Sequence, residues 1–228
     1  MSIHSEEFDN LFNQIEHYHK FPAMRPFIGK HYGLNGSIKL LLIAESNYLP
    51  EESTIHQKAN FWYNSEQKDL NKEEIKWINC RELCQCDWKP DGHMIYRELN
   101  KVLSEYFNTN LRDEKAISNV AFMNGFQRPS PKSGDSIKPY LTDIDKTISA
   151  AVISQVISVI NPDLVIFVSK LAWDSLRWRL KIEDKNIVLD YTCHPATGGL
   201  YWNRKDYKHG KEKLRSILTK MFKEIRIK

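Results

Sequence analysis

The run Ile38-Lys39-Leu40-Leu41-Leu42-Ile43-Ala44 is short, nearly continuous in apolar residues and shows no alternation. Such a run suits a strand buried on both faces, the kind found in a parallel sheet covered by helices on either side. It also fixes where the following residues go, because open α/β folds bind their ligands just outside the carboxyl ends of the strands. Here those residues are Glu45-Ser46-Asn47-Tyr48-Leu49-Pro50. Glu45 is then either a carboxylate at a site or a cap for the next helix, with Ser46 and Asn47 turning the chain.

Three more runs repeat the arrangement. Ile117 to Met123 leads into Asn124-Gly125-Phe126-Gln127-Arg128-Pro129-Ser130. Leu164 to Val168 leads into Ser169-Lys170, and Ile187 to Tyr191 into Thr192-Cys193-His194-Pro195. Between the runs, apolar residues recur with the 3.6-residue period of helices. Ile95, Leu99, Val102, Leu103 and Tyr106 form one such stripe. Ile148, Ala151, Val152, Val156 and Ile160 form another, capped near Thr142 or Asp143 and ended by Asn161-Pro162-Asp163. Ala172, Leu176 and Leu180 mark a third helix, and Leu214, Ile217, Leu218, Met221, Phe222 and Ile225 a closing one.

Strands alternating with helices predict an α/β fold with three α/β/α layers around a central four-stranded parallel sheet. At 228 residues the chain has the length of one well-buried domain, 1–228. Residues 1–37 precede the first strand. Phe8, Leu11, Phe12 and Ile15 there predict an amphipathic helix, stopped near Pro22, and the segment from Arg25 to Gly33 reads as a loop. Residues 51–90 form an irregular insertion holding Phe61-Trp62-Tyr63, Trp77, Trp88 and three cysteines, with helix expected around Lys72 to Leu83. It is either a lid over the site or a cover for one sheet face.

Charged residues at 27% and hydrophobic ones at 41% describe an ordinary globular chain. No apolar run approaches the roughly 20 residues of a membrane helix, and the polar, acidic start Met1-Ser2-Ile3-His4-Ser5-Glu6-Glu7 is unlike a secretory signal. The expectation is a cytoplasmic monomer with no membrane partner. From Leu200 onward ten Lys or Arg face three Asp or Glu, a balance of +7 in a chain of net charge +4. That end either meets phosphate or is a solvated helix face. Cys80, Cys84 and Cys86, with His93 following, supply four candidate metal ligands, but without the paired CxxC arms of zinc sites. With Cys193 they read as free thiols, and no metal or other cofactor is expected.

The four strands place Glu45, Asn124, Ser169 and His194 along one edge, and an acid, an amide and an imidazole converging there outweigh any one of them alone. In this order the pieces resemble the uracil-DNA glycosylase superfamily. Leu41-Leu42-Ile43-Ala44-Glu45-Ser46 is similar to its first-strand motif and Phe122-Met123-Asn124 to its second strand. Asn161-Pro162-Asp163-Leu164-Val165-Ile166 with Ala172, and His194-Pro195 opening the last loop, are similar to its later pieces. The resemblance spans about residues 38 to 218. The chain departs from the family in Ala44 where Gly is common, in Asn47 where Pro is common, and in His-Pro-Ala with a longer Gly-Gly loop in place of His-Pro-Ser.

The resemblance implies a uracil-DNA glycosylase-like fold and hydrolysis of the N-glycosidic bond of uracil or another damaged base in DNA, single- or double-stranded. It places Glu45 where the attacking water is positioned and His194 where the base oxygen is bonded as negative charge develops. It gives Asn124, with Asn119 as the fallback, the reading of the base edge, alongside Ser46, Asn47 and Tyr48 lining the base pocket. It makes Leu200 or Tyr201 the wedge that replaces the flipped nucleotide, with Arg204, Lys205, Lys208 and Lys211 on phosphates. The competing expectations are a catalytically silent or re-purposed member of the same fold that binds nucleic acid or a nucleotide, and a small-molecule hydrolase using the same edge.

Overall fold

A computed structural model describes residues 2–89, 93–107, 115–184, 186–206 and 208–225. The sheet has five strands, β1 (Phe27–Ile28), β2 (Leu40–Ala44), β3 (Ala121–Asn124), β4 (Leu164–Phe167) and β5 (Val188–Tyr191), in the order β1-β3-β2-β4-β5. From β3 to β5 all pairings are parallel, with Ala44 opposite Asn124 and Ile43 opposite Phe167. The four expected strands are therefore all present, but the sheet is mixed. β1 pairs antiparallel with β3 and comes from the segment read as a loop. Two residues carry no periodicity, so nothing in the local pattern marks them as a strand. What the sequence does carry is Gly29: a Cβ there would stand 2.1 Å from the Ser118 carbonyl oxygen, so only glycine lets the two backbones approach.

Nine helices are formed among the described residues: α1 (Asp9–Phe12), α2 (Glu16–Lys20), α3 (Ala59–Asn64), α4 (Lys72–Ile78), α5 (Cys80–Gln85), α6 (Met94–Leu103), α7 (Asp143–Ile160), α8 (Lys170–Leu176) and α9 (Lys211–Ile225). The single N-terminal helix expected from Phe8 to Ile15 is two short ones. Ile15 sits in extended backbone between them and is buried, while Leu11 is exposed. The helix expected from Lys72 to Leu83 is likewise broken at Asn79, whose side chain accepts the Glu82 N–H and restarts the chain as α5. The run Ile117–Met123 begins as a 3₁₀ turn, Ala116–Asn119, and turns into strand only at Ala121.

Side chains alternate across the sheet as a period of two requires. Leu41, Ile43, Met123, Val165 and Phe167 face a core with Phe12, Tyr18, Trp62 and the buried stripe of α7. Leu40, Leu42, Phe122, Leu164 and Ile166 face a second core with Cys84, Leu99, Val102 and Leu214. The sheet is thus covered on both faces, and burying the β2 side chains on each is worth on the order of 1.5–3 kcal/mol per large residue. α7 starts at Thr142, whose hydroxyl accepts the Asp145 N–H while the Asp145 carboxylate accepts the Thr142 N–H. Asn161, at φ 44°, ends it in the left-handed region. No helix among the described residues is long and apolar enough to cross a membrane.

Candidate functional site

The strand order puts the site where the connections diverge. The chain leaves β2 for β3 on one side, then returns past β2 to β4 on the other, so the crevice between the carboxyl ends of β2 and β4 is the topological switch point. Glu45 follows β2 there. Its backbone is held from both neighbours. Phe126 donates its N–H to the Glu45 carbonyl at 2.7 Å, Ser130 to the Asn47 carbonyl at 2.8 Å, and Val168 to the Ile43 carbonyl at 2.8 Å. Gly125 permits this closeness, since a Cβ would meet the Ala44 carbonyl at 3.0 Å and the Ala172 methyl at 3.1 Å.

The Glu45 carboxylate accepts from two hydroxyls, Ser136 Oγ at 2.6 Å on Oε1 and Ser169 Oγ at 3.0 Å on Oε2. Ser169 also accepts the Ala172 N–H as the cap of α8. Its rotamer is therefore set by the helix, and Glu45 is set by it. Glu45 does not cap a following helix; the next one, α3, begins only at Ala59.

Asn124, the last residue of β3, is buried and donates from Nδ2 to Asn47 Oδ1 at 2.7 Å. Gln127 Nε2 donates to the Asn124 carbonyl at 2.8 Å. The amide pair keeps one acceptor and one donor, Asn124 Oδ1 and Asn47 Nδ2, for a further planar partner. Ser46 and Tyr48 are half-buried beside them. Burial, then the nearby Glu45 and Asp135 charges, push the Tyr48 phenol above its ordinary value, so it stays a donor. The fallback Asn119 lies at the opposite end of β3, bonded to the Ala116 carbonyl, and takes no part in this edge.

His194 is half-buried and follows β5 by three residues. Its Nδ1 accepts the Ala196 backbone N–H at 3.2 Å. A backbone N–H can only donate, so in the neutral ring the proton sits on Nε2. Burial holds the imidazole below its usual pKa, and the charge of Glu45, close enough to act on it, pulls the other way. The net result is a neutral ring presenting an Nε2–H donor. Glu45, Asn124 and His194 therefore share one edge, as the strand pattern required.

Beyond His194, a 3₁₀ segment Pro195–Leu200 is broken at Gly198, whose φ of 52° and ψ of −129° suit glycine. The loop presents Leu200, 71% exposed, and Tyr201, 44% exposed. Trp202 is buried and donates from Nε1 to Glu98 at 3.0 Å, anchoring the loop to α6. Lys205 and Lys208 are exposed and Lys211 opens α9. Arg204 is engaged by Asp206 through two hydrogen bonds, so its charge is partly cancelled in a way spacing did not reveal.

Two contributors escaped the sequence reading. Ser136 is one of three serines in a loop with no period to say which points inward. Arg128, 1% exposed, is the bolt of that loop. Its guanidinium meets Asp145 through Nε and Nη2, both at 2.8 Å, and donates to the His56 and Tyr140 carbonyls at 2.9 and 2.8 Å. Burial alone would raise the Asp145 pKa, but the hydrogen bonds from Arg128 and Thr142 prevail and hold it below the usual range.

The four thiols are free, with Cys80, Cys84 and Cys193 buried. Cys80 donates to the Phe122 carbonyl behind the sheet, and His93 Nδ1 accepts the Lys89 N–H. Among the described residues no three His, Cys, Asp or Glu side chains converge as a metal site. A cavity of about 570 Å³ lies between α7 and residues 179–187, and one of about 190 Å³ between α2 and α7. Neither borders Glu45, Asn124 or His194. Among known proteins, neither a family model nor a curated sequence matches this chain.

Proposed function

We propose that the protein hydrolyses the N-glycosidic bond of a base in DNA, with Glu45 and His194 as its charge-stabilising pair. Departure of the base leaves a cationic sugar and an anionic ring; water adds to the sugar, giving an abasic site and a free base. Glu45, restrained by Ser136 and Ser169, stands opposite the developing positive charge and orients the water. His194 Nε2–H donates to the base oxygen as negative charge grows there. Donors and carboxylates fixed in advance at such positions are usually the largest single catalytic contribution. A stacked base cannot reach these groups, so the nucleotide is flipped, with Leu200 or Tyr201 filling the gap and Lys205, Lys208 and Lys211 on phosphates.

The observation that carries this reading is a hydroxyl-held carboxylate at the switch point, paired with a neutral imidazole following β5 and close enough to feel its charge, beside two linked amides suited to a planar edge. Asn47, standing where the resembling family commonly has Pro, is part of that amide pair and points to a base edge read by two side chains. The test is incubation with oligonucleotides bearing uracil, hypoxanthine or xanthine, followed by alkaline cleavage at abasic sites. Scission that is lost in Glu45→Gln and His194→Ala supports the reading; no scission with any base rejects it for DNA.

A second reading is favoured by one feature: both Glu45 oxygens already accept a hydroxyl, and neither cavity opens onto them. A member of the same fold that binds nucleic acid or a nucleotide without cleaving it would show salt-sensitive binding and no abasic product.

A further inference from the structure

Trp178 is the most exposed large hydrophobic side chain described, at 83% of its surface, and it is not isolated. The Arg177 guanidinium lies 4.8 Å from the Trp178 ring centre and 4.9 Å from that of Trp173. Trp173 stacks on Tyr191 at 5.1 Å and 18°, and Tyr191 on His209 at 5.1 Å and 27°. Lys213 Nζ stands 3.8 Å over the Tyr191 ring. Five flat groups thus follow one another at nearly constant spacing, from His209 outward to an indole open to solvent.

The inner end of this ladder touches the candidate site. His209 gives its carbonyl to the N–H of Cys193, the residue before His194, and Tyr191 closes β5. Trp173 is in the first turn of α8, whose cap Ser169 binds Glu45. The ion pairs along the ladder hold more cations than acids. Lys170 and Arg177 share Asp174, Lys146 and Arg179 share Asp143, and Lys213 pairs with Asp190, five cations for three acids. An indole held rigid by a guanidinium behind it loses little freedom when a second flat group lands on its open face.

We infer that this ladder is a docking track for single-stranded nucleic acid, with an unpaired base stacked on Trp178 and the backbone drawn by the surplus cations. Aromatic stacking beside basic side chains is how proteins hold single strands without reading sequence. The inference deepens the base-excision reading, on which it rests for its sense of direction: the track leads from Trp178 toward His194. It adds a preference that the site alone does not imply, for a lesion flanked by unpaired nucleotides.

The test uses the full chain and a fluorescein-labelled twelve-residue oligothymidylate, with a duplex of the same length for comparison. Anisotropy is read in dilute and in moderate salt. Trp178→Ala is expected to weaken single-strand binding roughly 5- to 150-fold, the range of one lost base–aromatic stack, while Trp178→Phe recovers most of it. Duplex binding is expected to change less. Failure of the wild type to bind the oligothymidylate, or equal affinity in Trp178→Ala, overturns the inference. So does a Trp178-dependent dimer seen by sedimentation, since a second copy would then occupy the indole. The two readings separate cleanly. Trp178-dependent binding with no excised base keeps the track and removes the glycosylase; excision with Trp178-independent binding does the reverse.

Discussion

Arg128→Met is the perturbation that most directly tests how the site loop is held. It removes a guanidinium with 1% of its side chain exposed and strands a carboxylate with none exposed. Asp145 would keep Thr142 Oγ1 at 2.7 Å, the Thr142 N–H at 2.9 Å and the Tyr63 hydroxyl at 3.1 Å, but no countercharge. Breaking a buried pair from one side costs about 3–5 kcal/mol, and the freed His56 and Tyr140 carbonyls add to the loss where water cannot reach them. Against a domain stability of about 5–15 kcal/mol, that is roughly a fifth of the total at the least. Urea denaturation at pH 7, with the slope checked for constancy, reads it directly. Asp145→Asn should cost a similar amount, and the double variant should lie close to either single one, because the second change removes a partner already orphaned. The pH dependence has a definite sign. A carboxylate depressed below its unfolded value of 3.8 contributes stability that is present above that value and is lost as pH falls through the folded one. The wild type should therefore show an acid limb below about pH 4 that is missing in Arg128→Met. A loss under about 1 kcal/mol, or strictly additive single changes, would refute the claim that this pair bolts the loop.

Other expectations concern the site and the core. His194→Ala should slow base release about 10²–10³-fold, the usual effect of one lost donor, with a melting temperature within a few degrees of wild type; a large drop in melting temperature with normal turnover would reassign the residue to structure. Because Nδ1 accepts the Ala196 N–H only while the ring is neutral, protonation would break the contact that aims Nε2; excision should therefore persist through the ordinary histidine range and decline only below it, since burial lowers the His194 pKa, and a rate that climbs on acidification contradicts the role. Ser136→Ala should reduce turnover more than stability, since its hydroxyl holds Glu45 from an exposed loop; unchanged kinetics would make that contact incidental. His17 is buried with Nε2 unpartnered and its pKa lowered by burial, then by Lys20, to about 3. Its stabilising preference for the neutral form is present above 6.5 and fades at about 1.4 kcal/mol per pH unit between 6.5 and about 3. His17→Phe should flatten that decline in a pH series of chemical melts, and an unaltered slope would show that His17 is not its source.

How much of this was legible follows from what each residue must satisfy. β2 and β4 are buried on both faces, so their runs are continuous and unmistakable, and the residues after them fall at the edge by topology alone. α7 announced itself through its stripe and a cap near Thr142 or Asp143, while the reciprocal bond with Asp145 emerged only in the structure. β1 was hidden because two residues make no pattern and its partner lies some ninety positions away. α1 and α2 were fused because Ile15 satisfies a helical stripe equally well from the bend between two helices. At the site, Glu45, Asn124 and His194 were marked by position after a strand. Ser136 was not, for its place depends on Arg128 finding Asp145 across the fold, a contact no local period encodes.

The join between Trp202 and Glu98 bears on the behaviour of a shortened chain. The stretch from His194 to Gly210 is strung between two fixed posts: β5 at its start, and at its end α9, which packs Leu214, Leu218 and Met221 into the second core. Cutting the chain ahead of Lys211 would keep the Trp202–Glu98 join but strip Leu214, Leu218 and Met221 from the second core, at roughly 1.5–3 kcal/mol for each large residue. Such a fragment should be destabilised as a whole, with the Trp202–Glu98 join left as the remaining side-chain tie between the His194 loop and α6.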